Sequence, residues 1–261
     1  MRNFLLSLFL TMVGTWTMAQ ELVPVGVYNN EPEDSPAGLA ETQMSQTLED
    51  SINWGILTPE QFDRIKMMAE SGHSTSQYYL GRCFFKGLCV AKDHYQAVAN
   101  YGLAAEKDQT EALYYLGFCY QFGYGVPSDK YKADLYFKRA LSWLEQESET
   151  QAYSMYYLAM CHTCGFGVDR DVEKGVKLYE RAAEMGCTQA LFNMAIDKQF
   201  GNNMPVDMVG AASLFEQAAL LGNPQAQYSL SLCYRNGEGV QKDIDKADEW
   251  LRRAEEQGWR K

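Results

Sequence analysis

The sequence predicts an all-α fold, a solenoid of stacked helix pairs, and three observations predict it. A core apolar residue recurs in register at Leu80, Leu116, Leu158, Met194 and Leu230, at intervals of 36, 42, 36 and 36 residues. Small residues flank each of them: Ser76, Ala112, Ser154, Ala190 and Ala226 four positions before, and Gly81, Gly117, Ala159, Ala195 and Ser231 one after. Glycine ends each segment at Gly87, Gly123, Gly165, Gly201 and Gly237, and an aspartate opens a second segment at Asp93, Asp129, Asp171, Asp207 and Asp243.

The first segment of each unit is helix A and the second is helix B. The aspartate carboxylate accepts free N–H groups of the first turn of helix B and sits favourably against the helix dipole. Four residues on lie Ala97, Ala133, Gly175, Ala211 and Ala247; another four on lie Tyr101, Phe137, Tyr179, Phe215 and Leu251; and Ala104, Ala140, Ala182, Ala218 and Ala254 complete the stripe. Small residues let backbones approach, and the aromatics fill the space between. Gly186, Gly222 and Gly258 close three of the five B helices. The six extra residues between the second and third units fall around Trp143 to Thr150, where helix B can run on. Upstream, Thr58-Pro59-Glu60-Gln61 is a helix start with a capping-box Gln and Pro in the first turn, and with Ile65, Ala69 and Gly72 it predicts a lone helix B that caps the array. Leu39 to Asp50 is expected to add one more helix.

Ahead of the repeats, Arg2, the apolar run Phe4 to Val13 and the small residues before Gln20 have the form of a signal peptide cut between Ala19 and Gln20. Residues 20–38, with Pro24, Pro32 and Pro36, are an expected extended linker. The expected organisation is therefore signal peptide 1–19, linker 20–38, N-terminal helices and capping half-repeat 39–72, five repeats over 73–258, and a tail 259–261. The expected location is the periplasm or the exterior, with no stable membrane insertion of the mature chain, since the apolar run is too short to span a bilayer. A formal net charge of −11 argues against nucleic acid and anionic lipid, which reward clustered Lys and Arg.

Tyr114-Tyr115-Leu116-Gly117, Tyr120, Gly123-Tyr124-Gly125-Val126, Asp129, Lys132-Ala133 and Ala140 closely resemble the Sel1-like repeat, a relative of the tetratricopeptide repeat. The resemblance covers about residues 57 to 258 and recurs in register. It implies a right-handed α/α superhelical solenoid of antiparallel helix pairs that serves as a non-catalytic adaptor or scaffold for a protein or peptide ligand. Exported bacterial members include cysteine-rich proteins, some labelled β-lactamase or penicillin-binding, so a hydrolase of that kind is the alternative function. In those relatives one Cys follows the late Ala of helix B and its partner lies three residues before the repeat Leu. Here the positions read Ala105, Leu141, Ala183, Ala219, Glu255 and Gln77, Leu113, Met155, Leu191, Gln227, with no Cys among them.

Cys83, Cys119, Cys161 and Cys233 share the position three after the core residue and are expected to face inward as small apolar groups. Cys161-His162-Thr163-Cys164 matches the C-x-x-C redox pattern, but it ends helix A, whereas an activated thiolate wants a helix N-terminus. A zinc site from Cys161, His162, Cys164 and Cys187 fits no usual ligand spacing. There is no Ser-x-x-Lys, no Gly-x-Ser-x-Gly and no His-Glu-x-x-His, and the three histidines are scattered. The Gly-x-Gly-Val turns at Gly123, Gly165 and Gly237 recur with the repeat and read as backbone turns of positive φ rather than phosphate loops. No cofactor or metal is expected.

At 100° per residue, the positions two before and two after the core residue lie about 160° from it and are expected to point out of the pair and line a concave surface. They read Tyr78 and Arg82, Tyr114 and Phe118, Tyr156 and Met160, Phe192 and Ile196, and Tyr228 and Leu232. Such a ladder suits partner recognition, because amphipathic rings bury area while keeping a hydrogen-bonding tip. Stacking between adjacent A helices would produce the same recurrence. Glu106, Asp108, Glu145, Glu147 and Glu149 are expected on a solvated surface.

Overall fold

The structure, a computed structural model, describes residues 57–259, and among them eleven α-helices and no strand. The expected signal peptide, the linker and the helix at Leu39 to Asp50 lie outside the described residues. In chain order the helices are α1 (Pro59–Glu70), α2 (Ser74–Lys86), α3 (His94–Ala105), α4 (Thr110–Phe122), α5 (Lys130–Glu147), α6 (Ala152–Cys164), α7 (Val172–Glu184), α8 (Thr188–Phe200), α9 (Met208–Leu220), α10 (Pro224–Asn236) and α11 (Ile244–Glu256). The chain divides into two compact units between Trp143 and Leu144, inside α5, and each is described by itself.

In the first unit α1 packs on α2, α2 on α3 and α3 on α4. In the second, α6 packs on α7, α7 on α8, α8 on α9, α9 on α10 and α10 on α11. Packing of each helix on its neighbours in the chain is what a stacked repeat requires. A helices carry the core: α4, α6 and α8 each bury ten consecutive residues, Thr110 to Cys119, Ser154 to Thr163 and Thr188 to Asp197. B helices bury one stripe, as with Gly175, Tyr179 and Ala182 on α7 or Ala247, Trp250 and Ala254 on α11. Thus helix A is enclosed and helix B is amphipathic. The longer spacing after the second unit is absorbed as expected, since α5 has 18 residues where the other B helices have 12 or 13.

Helix starts follow the sequence closely. Thr58 caps α1 with a complete capping box, its hydroxyl accepting from Gln61 N–H while Gln61 Oε1 accepts from Thr58 N–H. Asp93, Asp129, Asp171, Asp207 and Asp243 accept from the N–H of Gln96, Lys132, Lys174, Gly210 and Lys246 at 2.8 to 3.1 Å. The backbone N–H of each Asp also donates back to helix A, to the carbonyls of Phe84, Tyr120, His162, Lys198 and Tyr234. One residue therefore closes the turn with its main chain and starts the next helix with its side chain.

Helix A ends in a left-handed glycine at all five places, with φ between 71° and 78°. The N–H groups of that glycine and of the next residue converge on one carbonyl, that of Cys83, Cys119, Cys161, Asp197 or Cys233. The second glycine of the Gly-x-Gly turn has a different task. A Cβ on Gly125 would lie 2.1 Å from the His94 carbonyl oxygen, and one on Gly239 would lie 1.9 Å from that of Met208. Each turn is thus seated against the start of helix B in the preceding repeat. At the head of the array the same position is Cys89, which keeps a positive φ of 57°, and its thiol donates to the Leu57 carbonyl at 3.1 Å.

Where the resemblance to cysteine-rich proteins would place a disulfide, this chain has an amide at two of the five places and an apolar side chain, Leu113, Met155 or Leu191, at the others. Gln77 Nε2 donates to the Ala69 carbonyl and Gln227 Nε2 to the Ala219 carbonyl, 3.3 and 3.1 Å, linking α2 to α1 and α10 to α9. All seven cysteines are free thiols. Burial pushes the thiols of Cys83, Cys119 and Cys187 up to about 12 and that of Cys233 up to about 11, and Cys161 is wholly enclosed. They pack as apolar groups.

Repeat four departs from this pattern in a linked way. Asp197 stands where the other units have Cys, and Asn203 where three of them have the second glycine. Asn203 Nδ2 donates to Asp197 Oδ2 at 2.9 Å, Asn203 Oδ1 accepts from Arg170 at 3.2 Å, and Arg170 Nε donates to the Thr163 carbonyl at 2.7 Å. Burial raises the Asp197 carboxyl from 3.8 to about 6, against the lowering effect of Asn203, Asn202 and Arg170. The expectation of a solvated acidic surface needs correction at one place, where the half-buried Glu147 accepts from Ser154 at 2.9 Å. Asp108, at φ 55° in a position that is glycine in three other units, is exposed as expected and pairs with Arg139 at 2.6 Å.

Two outcomes follow for stability, both read by urea unfolding of the full chain. Gly239→Ala should lose about 3 kcal/mol, since a methyl group meets a backbone oxygen, whereas Gly186→Ala, equally left-handed but open on all sides, should lose only about 1 kcal/mol. For Asp197 the folded carboxyl binds its proton more tightly than the unfolded one. Its charge therefore opposes folding above pH 6, and stability is regained as pH falls from about 6 towards 3.8. Asp197→Asn should accordingly stabilise by roughly 1 to 3 kcal/mol at pH 8 and by little near pH 4, since each tenfold change in proton affinity is worth about 1.4 kcal/mol.

Candidate functional site

The predicted ladder lies on the A helices, and the structure places its members unequally. In the first unit Tyr78, Arg82, Tyr114 and Phe118 are all buried. In the second, Tyr156, Met160, Phe192 and Ile196 are buried, Tyr228 is half-buried and Leu232 is 37% exposed. The expected outward direction is corrected by ring geometry. Tyr78, Tyr114, Tyr156 and Phe192 pack, tilted or edge-on, against the helix-B aromatic of their own repeat, Tyr101, Phe137, Tyr179 and Phe215, at centroid distances of 5.5 to 6.1 Å. Phe118 packs against Phe122 and Tyr124, and the Arg82 guanidinium sits 5.7 Å from the Tyr78 ring centroid.

The physical reason is the closeness of A to B. The small residue after the core position opens room for the opposing ring: a Cβ on Gly81 would lie 2.6 Å from Tyr101, and one on Gly117 would lie 2.9 Å from Phe137. Once that ring has entered, the aromatic two before the core residue falls into contact with it. The ladder is thus mainly an aromatic seam within each pair, contributing about 0.5 to 1.5 kcal/mol per ring pair beyond area burial. Only on α10 does it reach solvent, where Tyr228 rests one face 5.1 Å from Trp259 and Leu232 stands free of the core.

A second series went unrecognised in the sequence. Thr75, Glu111, Tyr153, Gln189 and Gln225, five before the core residue, are polar at every repeat although helix A is otherwise buried. In the second unit they join a hydrogen-bonded row: Tyr153 Oη and Thr188 Oγ1 both donate to Gln189 Oε1 at 3.0 Å, and Asn223 Nδ2 donates to Thr188 Oγ1 at 3.4 Å. Asn193 Nδ2 donates to Tyr156 Oη at 3.3 Å. The recurrence of a never-apolar position inside an enclosed helix was the signal that could have found them.

The remaining chemistry is sparse. His162 is buried, and burial together with Lys174 lowers its basicity. Cys161, beside it, is enclosed, so the C-x-x-C pair presents no low-pKa thiolate. Among the described residues no group of three or more His, Cys, Asp or Glu is placed to hold a metal ion, and no helix is long and apolar enough to cross a membrane.

The Sel1 repeat model matches residues 74–109, 110–145, 152–187, 188–223 and 224–259. Among solved structures, a Sel1 repeat protein from Oxalobacter formigenes is similar at 23% identity over 84% of this chain and 85% of that one, with a TM-score of 0.45. The immunity protein Pa5087 from Pseudomonas aeruginosa is similar at 16% identity over 88% and 85%, with a TM-score of 0.52, and Pseudomonas aeruginosa 5086 at 16% over 89% and 88%, with 0.51. The last two share the fold. No curated protein matches the chain. The chain belongs to the Sel1 repeat family, whose members are typically protein-interaction scaffolds.

Proposed function

We propose that this protein is a non-catalytic scaffold that holds a protein or peptide partner in an exported compartment, and that the helix-A surface of α10 takes part in the contact. The observation that carries the reading is the ladder itself: the same position that is sealed into the aromatic seam of the earlier repeats carries Tyr228 half-exposed and Leu232 exposed on α10. An aromatic ring with a polar tip beside an exposed aliphatic side chain is the composition of an interface core. Export rests on the N-terminal sequence, with its positive start, short apolar run and small residues before Gln20.

Two measurements test the two halves. Crosslinking in the native compartment should capture a specific partner, and Tyr228→Ala combined with Leu232→Ala should cut capture at least about 10-fold while far-UV circular dichroism stays unchanged. Undiminished capture by the folded double variant removes α10 from the contact. Sequencing the N-terminus of the protein from its host should give a chain starting at Gln20, and an intact Met1 would remove export.

A further inference from the structure

A cleft of about 540 Å³ lies between the start of α3 and the turn that joins α4 to α5. That volume is in the range of small-ligand sites, about 300 to 1,000 Å³. Lys92, His94 and Tyr95 form one wall, and Gly125, Val126 and Pro127 the other. The walls differ in kind: one offers an ammonium and two ring systems, the other bare backbone and apolar carbon.

Each polar group on the first wall is accounted for. Lys92 is exposed and makes no ion pair among the described residues. Asp93, the one carboxylate in the lining, is turned into α3, where it accepts from the N–H of Tyr95 and Gln96 at 2.9 and 3.1 Å. It thereby also occupies the helix start, so that the N–H groups of α3 are not what would draw a ligand. His94 is wedged between the rings of Phe85 and Tyr124, at 4.9 and 5.1 Å, and burial lowers its basicity, which leaves it an uncharged wall at neutral pH. Tyr95 is 77% exposed, with its ring available as a platform.

We propose that this cleft binds a small monocarboxylate with a flat apolar body, the carboxylate on Lys92 and the body between Tyr95 and Val126–Pro127. The lining offers one free ammonium, Lys92, which matches the single charge of a monocarboxylate, while Asp93 is engaged with the first turn of α3. The corresponding positions of the other repeats differ: where this one has Lys92, His94 and Tyr95, repeat two has Ser128, Lys130 and Tyr131, repeat three Arg170, Val172 and Glu173, repeat four Val206, Met208 and Val209, and repeat five Lys242, Ile244 and Asp245. Only the first combines a free ammonium with an exposed ring and an uncharged imidazole.

The test is amide-detected NMR titration of the full chain with benzoate and with benzamide, its neutral isostere. Benzoate should shift the amides of Tyr95 and Gly125 saturably, with a dissociation constant on the order of 1 mM, and benzamide should bind at least about 10-fold more weakly. Lys92→Met should weaken benzoate about 10-fold, and Tyr95→Ala several-fold; both residues are exposed, so both variants are expected to fold. N-acetylphenylalanine against its amide then separates the two sources of carboxylate: saturation by the acid extends the site to peptide C-termini, and saturation by benzoate alone confines it to free small acids. Equal binding of benzamide and benzoate, unchanged affinity in Lys92→Met, or no saturable shift at Tyr95 and Gly125 overturns the proposal.

Discussion

The constraint on which this architecture depends is the carbonyl at the third position after the core residue. Two N–H groups from the following glycine turn converge on it, and the next carbonyl along receives the N–H of the aspartate that starts helix B. Those three bonds turn the chain back on itself within a few residues, so that helix B returns from the end of helix A. A pair of such helices is too small to bury its own apolar surface, so the pair is stable only when another covers it. The second glycine of the turn makes that covering close, because it lets the turn rest on the backbone of the preceding helix B.

From this constraint the chemistry of the core follows. A residue at the converging carbonyl must be small and must tolerate full enclosure, which suits Cys at four places and makes Asp197 the exception. The exception is supported locally: the neighbouring glycine has become Asn203, and its amide answers the carboxylate while its carbonyl reaches Arg170 of the repeat before. Two departures from the repeat therefore form one polar joint, and neither makes sense without the other. At two of the five positions where relatives place a cysteine, Gln77 and Gln227 tie neighbouring helices through backbone carbonyls instead.

Function in such a molecule sits on what the stacking leaves uncovered. The aromatic seam is structural in the earlier repeats and becomes surface on α10, while the turn edge carries side chains that the repeat does not constrain. Lys92 and Tyr95 lie at the start of α3, and Val206, Met208 and Val209 at the start of α9, so that the chemistry at this position of the repeat changes while the helix start does not.

The sequence by itself determined the helix pairs, their register, the caps at both ends and the inward place of the recurring cysteines, because each rests on bonds or contacts between residues close in the chain. It also located the longer helix B, since an insertion there meets no fixed turn. What it did not determine was which side of helix A faces water. A wheel of 100° per residue treats a helix as having one buried face, whereas α4, α6 and α8 are enclosed over ten consecutive residues by neighbours from several repeats. Only the tertiary structure decided that Tyr78, Tyr114, Tyr156 and Phe192 turn towards helix B, and the reason is steric: glycine or alanine beside the core residue admits the opposing ring, and the ladder closes upon it.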